Sequence, residues 1–301
     1  MIKSITITND LNESIKLELA SPVSAGLAVL AVEGLGPPKA NINVTEFVTS
    51  DGSLYNSARA SSRNILLYLK FLWNPTIEHS RQLSYKFFPI KKLIKLTIET
   101  DQRVSEVYGY VESNEPNIFS NSEGTQISIL CPDSYIQSVG TRLTTLSSVL
   151  SEFEFPFGNE SLADPLLTMT EVQEGNAQNI EYTGDAGVGI DVTMTATGDV
   201  TMPMLYNSLT RELMQIDTVK LATLTGNAII AGDVIEITTT VGNKRIVLIR
   251  NGVHTNILNC LVPGYSWFKL ERGSNVFAFT VDTGETVFEV VIRNKTVYAG
   301  V

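Results

Sequence analysis

Short β-prone runs, each closed by a turn, follow one another along nearly the whole chain, and this rhythm limits the fold more than any motif does. Ile2–Asn9 and Ser14–Leu19 alternate around Asp10-Leu11-Asn12 and predict a hairpin. Ala25–Val32 is a short apolar run, and Gly34-Leu35-Gly36-Pro37-Pro38 is a rigid turn. Ala40–Thr49 alternates before Asp51-Gly52 reverses the chain, and Asn64–Leu72 is a richly apolar strand. Leu93–Glu99 and Ser105–Glu112 form a second hairpin over Asp101-Gln102-Arg103, and Gln126–Cys131 reads as a closing strand. One segment breaks the rhythm. From Pro75 to Phe88, Ile77, Leu83, Phe87 and Phe88 share one side, Glu78, Arg81, Gln82 and Lys86 face elsewhere, and Pro89 bars continuation. The first half is therefore expected to be a β-sandwich or curled sheet with one flanking helix.

The stretch from Ser138 to Ser151 is small and polar, with Thr141, Thr144, Thr145, Ser147 and Ser148, and marks an expected boundary. The expected division is residues 1–140, a linker at 141–151, and residues 152–301. The second part opens on Phe153-Glu154-Phe155-Pro156-Phe157-Gly158 and continues almost purely as short strands. They include Gly189–Thr197, Leu213–Ile216, Val219–Leu221, Asp233–Thr240, Lys244–Arg250, Asn275–Val281 and Thr286–Arg293. Turns such as Gly198-Asp199, Val241-Gly242-Asn243 and Asn251-Gly252 separate them, the pattern of a sandwich or jelly roll.

With 301 residues the chain can bury two cores, and 43% hydrophobic against 18% charged residues is a globular balance. Charge is uneven. Residues 1–150 hold 13 Lys/Arg and 14 Asp/Glu, whereas residues 151–301 hold 9 and 18. A near-neutral first half suits packing against other subunits, and an acidic second half suits a solvated exterior. Neither half has the basic stripe of a nucleic-acid binder. No apolar run approaches the ~20 residues of a membrane helix. The first residues, Met1-Ile2-Lys3-Ser4-Ile5-Thr6, lack a signal peptide's apolar core, so synthesis in the cytoplasm without export is expected.

Catalytic chemistry finds little footing. Cys131 and Cys260 lie in different halves and read as free thiols, and His79 and His254 stand alone, so no metal spacing arises. Gly184-Asp185-Ala186-Gly187-Val188-Gly189 lacks the lysine of a phosphate loop and reads as a turn. Glu152 with Glu154, and Asp233 with Glu236, are the carboxylate pairs considered for sugar hydrolysis, in a chain where acidic residues are common. Tyr265 and Trp267 offer a conceivable sugar platform, with core packing of Trp267 the favoured alternative. No catalytic, cofactor or metal residue is assigned.

One series of motifs says more. Ser84-Tyr85-Lys86-Phe87-Phe88-Pro89-Ile90-Lys91-Lys92, then Gly109-Tyr110-Val111-Glu112-Ser113-Asn114-Glu115-Pro116, then Gln126-Ile127-Ser128-Ile129-Leu130-Cys131-Pro132-Asp133 resembles, in order and spacing, the distal tail protein family of long-tailed bacteriophages. The Gly34–Ala40 turn, Asp51-Gly52 and Ser62-Arg63-Asn64-Ile65 add to the resemblance in the first half. Phe153–Gly158, Asn159-Glu160, Ile216-Asp217-Thr218, Arg250-Asn251-Gly252 and Tyr298-Ala299-Gly300-Val301 extend it through the second. The resemblance implies a tail-tube-like β domain with one helix, followed by a β-sandwich resembling a galectin or carbohydrate-binding module. It implies a non-enzymatic baseplate hub without cofactors, located in the virion of a phage or prophage of Gram-positive bacteria. The implied partners are five further copies in a ring, the tail tube and tape-measure proteins, the tip protein and receptor-binding proteins. DNA would pass through the ring only in transit, and no membrane is engaged. The alternative reading is a carbohydrate-binding host-adhesion protein acting through the second domain. The roughly 150 residues after the boundary leave no room for the long inserted sugar-binding modules of some members.

Overall fold

The computed structural model describes residues 1–47, 51–120, 122–147, 149–151, 170–172 and 177–301. They form a mainly β protein of antiparallel sheets with two α-helices, divided into two compact units: residues 1–140 with 297–301, and residues 141–296.

The first unit contains β1 (Ile2–Thr8), β2 (Ser14–Glu18), β3 (Leu27–Glu33), β4 (Ala40–Glu46), β5 (Ser53–Ala60) and β6 (Arg63–Phe71). Then come α1 (Ile77–Phe87), β7 (Leu93–Thr100), β8 (Val104–Pro116), β9 (Gly124–Cys131) and the start of β10 (Ile136–Ser147). Antiparallel pairing runs β2–β1–β7–β8–β9–β6–β3. The segment read as closing, β9, is thus an interior strand between β8 and β6. Alternate residues of each strand point inward, so Ile5, Ile7, Ile65, Leu67, Leu69, Ile94, Leu96, Ile98, Ile127 and Ile129 share one core.

The Gly109–Pro116 motif is the corner of this sheet. β8 pairs with β7 up to Tyr110 and with β9 from Tyr110 onward. A Cβ on Gly109 would lie 2.6 Å from Ile129 Cγ2 and 2.8 Å from Cys131 Sγ, so only glycine lets the two strands close here. One step later the register slips at Glu112, a bulge that bends the strand onto its new partner.

Helix α1 starts on Thr76, whose Oγ1 accepts a hydrogen bond from His79 N (3.1 Å). Its inward stripe is Ile77, Leu83 and Phe87, as the periodicity predicts, together with Ser80 and Ser84, which are fully buried. Those two polar residues escape a hydrophobicity reading. Ser80 Oγ donates to Leu72 O (2.7 Å), and Ser84 Oγ donates to Arg81 O (2.8 Å), so each hydroxyl is satisfied while taking little room.

The second unit holds the end of β10 and a short pair, β11 (Val149–Ser151) with β12 (Thr170–Val172). The stretch expected to be a linker at 141–151 is therefore largely strand backbone. The element order continues β13 (Ala177–Tyr182), β14 (Val188–Gly189), β15 (Asp191–Ala196), β16 (Met204–Asn207) and β17 (Leu213–Gln215). After α2 (Thr218–Thr225) come β18 (Val234–Thr238), β19 (Arg245–Arg250), β20 (Val253–Asn256), β21 (Lys269–Leu270), β22 (Gly273–Thr280) and β23 (Phe288–Tyr298). One sheet runs β23–β15–β18–β19–β20, another β13–β22–β16–β17, and β14 pairs with β21. Val192, Met194, Ile235, Ile237, Ile246, Leu248, Val290 and Ile292 are buried from the first sheet. Phe279 of the second sheet meets Phe288 of the first edge to face, with centroids 5.8 Å apart. Asn251 and Gly252 both take positive φ between the paired Arg250 and Val253, a two-residue turn of the kind the Asn-Gly dipeptide predicts.

Two expectations need correction. Val219–Leu221 is not a strand but part of α2. Asp217 Oδ1 accepts from Val219 N and Lys220 N (both 3.0 Å), and Gly226 closes the helix in the left-handed region. Val219 itself is exposed, so its β preference has no packing to act through. The second correction concerns Val297–Val301, expected with the second domain and found with the first unit. The opening segment Phe153–Gly158 lies outside the described residues.

Candidate interaction surface

The most unusual surface is the β4–β5 hairpin. Among the described residues these strands pair only with each other, and every residue of Ala40–Glu46 and Ser53–Arg59 is exposed. The register nevertheless gives the hairpin two different faces. Ala40, Ile42 and Val44 stand opposite Ala60, Ala58 and Tyr55 on one face, and Asn41, Asn43 and Thr45 stand opposite Arg59, Ser57 and Leu54 on the other. A bulge at Asn56 separates the two halves, and its side-chain amide donates to Thr45 Oγ1 (2.7 Å). An alternating pattern normally means one face is covered. Here Ile42 and Tyr55 are each 62% exposed. A lone two-stranded hairpin is marginal in water, and an uncovered apolar face marks a contact surface.

The root of the hairpin is built quite differently. Ser61 N and Oγ both donate to Lys39 O, at 2.9 and 2.8 Å. Beside them Arg63, 4% exposed, places all five guanidinium N–H groups on backbone carbonyls. Nη1 donates to Gly34 O and Gly36 O (2.6 Å each), Nη2 to Ala299 O (2.6 Å) and Ser134 O (3.0 Å), and Nε to Ser134 O (3.2 Å). Burial lowers its pKa from the ordinary guanidinium value. Val301 N donates to Leu35 O (3.1 Å), Arg103 Nη2 donates to Gly300 O (2.6 Å), and the Arg103 guanidinium stacks over Tyr298 at 4.1 Å. Gly34 has φ +83°, and a Cβ there would sit 2.0 Å from Asn64 O. The segments around Gly34, Arg63 and Tyr298–Val301, far apart in sequence, thus meet at one node. Their common purpose is not visible in the sequence, because the acceptors are backbone atoms.

The residues weighed for chemistry are otherwise engaged. Asp233, 1% exposed, takes Arg250 Nε on Oδ1 (2.8 Å), Arg250 Nη2 on Oδ2 (2.6 Å) and Ile230 N on Oδ2 (2.9 Å). It is a structural carboxylate and not a partner for Glu236 in acid–base work. The other pair, Glu152 and Glu154, lies outside the described residues. His79 and His254 are both exposed, on α1 and β20. The Gly184–Gly189 loop folds over Tyr182, whose hydroxyl donates to Ala186 O (3.0 Å); a Cβ on Gly184 would collide with that ring. Both cysteines are buried and free, and burial pushes the Cys131 thiol up to about 11. Among the described residues no group of three or more His, Cys, Asp or Glu is arranged to hold a metal, and no helix is long and apolar enough to cross a membrane. Tyr265 and Trp267 pack edge to face (6.0 Å), with Lys244 Nζ 5.4 Å from the indole. A polar cleft of about 330 Å³ in the same unit, lined by Asp191, Thr193, Glu236, Thr238, Arg245 and Arg293 among others, has no aromatic wall.

No protein-family model and no curated protein sequence matches the chain. Solved structures do. The Dit (gp 19.1) protein of SPP1, described as a paradigm of the hub adsorption apparatus in phages infecting Gram-positive bacteria, aligns with a TM-score of 0.65 at 10% identity, over 97% of this chain and 98% of that one. Chains of the phage p2 baseplate in its activated conformation, with Sr and with Ca, align at a TM-score of 0.50 with 10% and 11% identity. These cover 97% and 98% of this chain, and 98% and 99% of theirs. The chain therefore has the fold of the SPP1 Dit protein and of the matched phage p2 baseplate chains.

Proposed function

We propose that the protein is a non-enzymatic hub at the distal end of a phage tail. The first unit is a tail-tube-like module that joins five other copies in a ring, and the second is a galectin-like β-sandwich turned outward. The ring connects the tail tube and tape-measure proteins to the tip and receptor-binding proteins and leaves a path for DNA. The reading is supported by the near full-length likeness to the SPP1 hub protein and carried by one observation, the solvent-exposed hairpin with its apolar Ile42–Val44–Tyr55 face. Such a face suits a heterologous contact, in which the hairpin of one copy covers a different surface of the next and rotation closes the ring. Electron microscopy of virions tests this: six copies at the tail end are expected, and a single monomeric copy there overturns it.

A second reading, carbohydrate binding through the second unit, draws support from the partly exposed Tyr265–Trp267 pair. A glycan array on the full chain distinguishes the two. Binding lost on Trp267→Ala favours the sugar reading, and no binding favours a purely architectural second unit.

A further inference from the structure

We propose that Arg63 is a positioning residue for the hairpin: with the Ala299–Val301 backbone it forms a latch at the hairpin root, and the latch must be closed for the hairpin to meet a second copy. This rests on the reading above that the hairpin docks on another copy of the chain.

The geometry of the lever is the first argument. The chain enters the hairpin through Gly34–Lys39 and leaves it through Ser61, and among the described residues the strands between make no sheet contact with the rest of the unit. Seven to eight residues of strand extend about 25 Å. A tilt of about 10° at the root therefore moves the tip by roughly 4 Å, more than a close-packed interface tolerates. Something has to hold the root.

The second argument is the choice of side chain. Arg63 sits on the exit strand and holds two carbonyls of the entry turn, Gly34 O and Gly36 O, so it staples the two sides of the root to each other. Its remaining donors reach Ser134 O and Ala299 O, which tie the staple to the body of the unit. Among the described residues no carboxylate pairs with it. A buried cation without a counter-charge is a costly way to fill space, and an apolar side chain would pack more cheaply. What guanidinium offers is five donors in a fixed plane, that is, direction. The Ala299–Val301 segment reinforces the same turn through Val301 N on Leu35 O, and Arg103 holds that segment by Gly300 O.

The test uses the full chain with nitroxide labels at Ser57→Cys, on the hairpin, and Gln102→Cys, on the β7–β8 turn. The two native thiols are buried and stay unlabelled in the folded protein. Pulsed electron resonance gives the label–label distance, sedimentation gives self-association, and hydrogen exchange in β6 and β9 reports the core. The parent should show one narrow distance. Arg63→Lys, with three donors in place of five, should broaden it by about 4 Å and weaken self-association at least tenfold, with exchange in β6 and β9 rising no more than the loss of global stability accounts for. Arg103→Gln, which removes only the Gly300 contact and the Tyr298 stacking, should do the same to a smaller extent. It serves as the decisive variant if Arg63→Lys fails to fold. A narrow distance in a folded variant overturns the latch. Ile42→Asp with Val44→Asp separates the two ideas: the distance should stay narrow while self-association disappears. If that double variant associates like the parent, the docking reading fails, and the distance measurement alone still judges the latch.

Discussion

Each unit holds an arginine largely shielded from water, Arg63 buried and Arg250 part-buried, and the two are solvated in opposite ways. Arg250 in the second unit faces a buried carboxylate, Asp233, in a bidentate pair, with further bonds to Thr225 Oγ1 and to the carbonyls of Asn227 and Ala228. Its partners all lie within about 25 positions, so the network closes a local loop between α2 and the β18–β19 hairpin. The Asp233 hydrogen bond and charge raise its pKa. Among the described residues Arg63 has only neutral carbonyls, and one of them, Ala299 O, is 236 positions away. The first arginine is one half of a charge pair. The second is a cross-brace whose value is geometric. A charge pair fails when one partner is lost, whereas a brace fails when its shape is wrong.

The largest expected effect tests the charge pair. Asp233→Ala strands Arg250 in a mostly buried position and should cost about 3–5 kcal/mol in urea unfolding. Replacing both residues with apolar ones, Asp233→Leu with Arg250→Met, should recover much of that loss; an additive loss would show that the two do not act as a pair. Arg63→Lys keeps the charge and alters only the shape, and should cost about 2 kcal/mol with little dependence on salt. If it costs nothing, the brace is an accident of packing. Between these lies an apolar anchor: Phe87→Ala should cost about 3 kcal/mol and Gln82→Ala within 0.5, because only the former side chain enters the core. The smallest effect is visible only at high pH. Cys131 sits opposite Arg63 in the β6–β9 register, burial raises its thiol to about 11 and the Arg63 charge opposes the rise. The unfolded thiol loses its proton near 8.5, the folded one only near 11. Its contribution is thus complete below about pH 8.5 and is lost as pH climbs through 11. Cys131→Ala should flatten that part of the stability curve relative to the parent. Identical curves would place the thiol outside the titrating set.

What could be read from the sequence follows the same division. Strands with a covered face announce themselves, because burial demands alternation: Ile2–Thr8, Leu93–Thr100 and Gly124–Cys131 all lie close to where the pattern puts them. Helix α1 is legible through Ile77, Leu83 and Phe87, but Ser80 and Ser84 on the same stripe are not, since their hydroxyls are satisfied by backbone carbonyls, Leu72 O outside the helix and Arg81 O within it. Helix α2 is only eight residues long and its apolar face is little more than Leu221, too short a signal against β-branched neighbours. The hairpin alternates in Ala40–Thr49 and could be predicted as a strand, yet nothing in the alternation says that its apolar face is bare. The Gly34, Arg63 and Ala299 motifs are visible as separate clusters. Their meeting is a tertiary fact, made by backbone oxygens that have no letter in the sequence.

Chain order gives that meeting a consequence in time. The ribosome delivers Gly34, Arg63 and Ser134 early, then all of residues 141–296, and only afterwards the acceptor on Ala299. Until that point Arg63 has two of its three anchoring segments and the hairpin hangs on an incomplete hinge. A nascent chain therefore carries this root without its Ala299 contact for as long as residues 141–296 are being made, and the last bond of the Arg63 brace can form only once the chain is nearly complete.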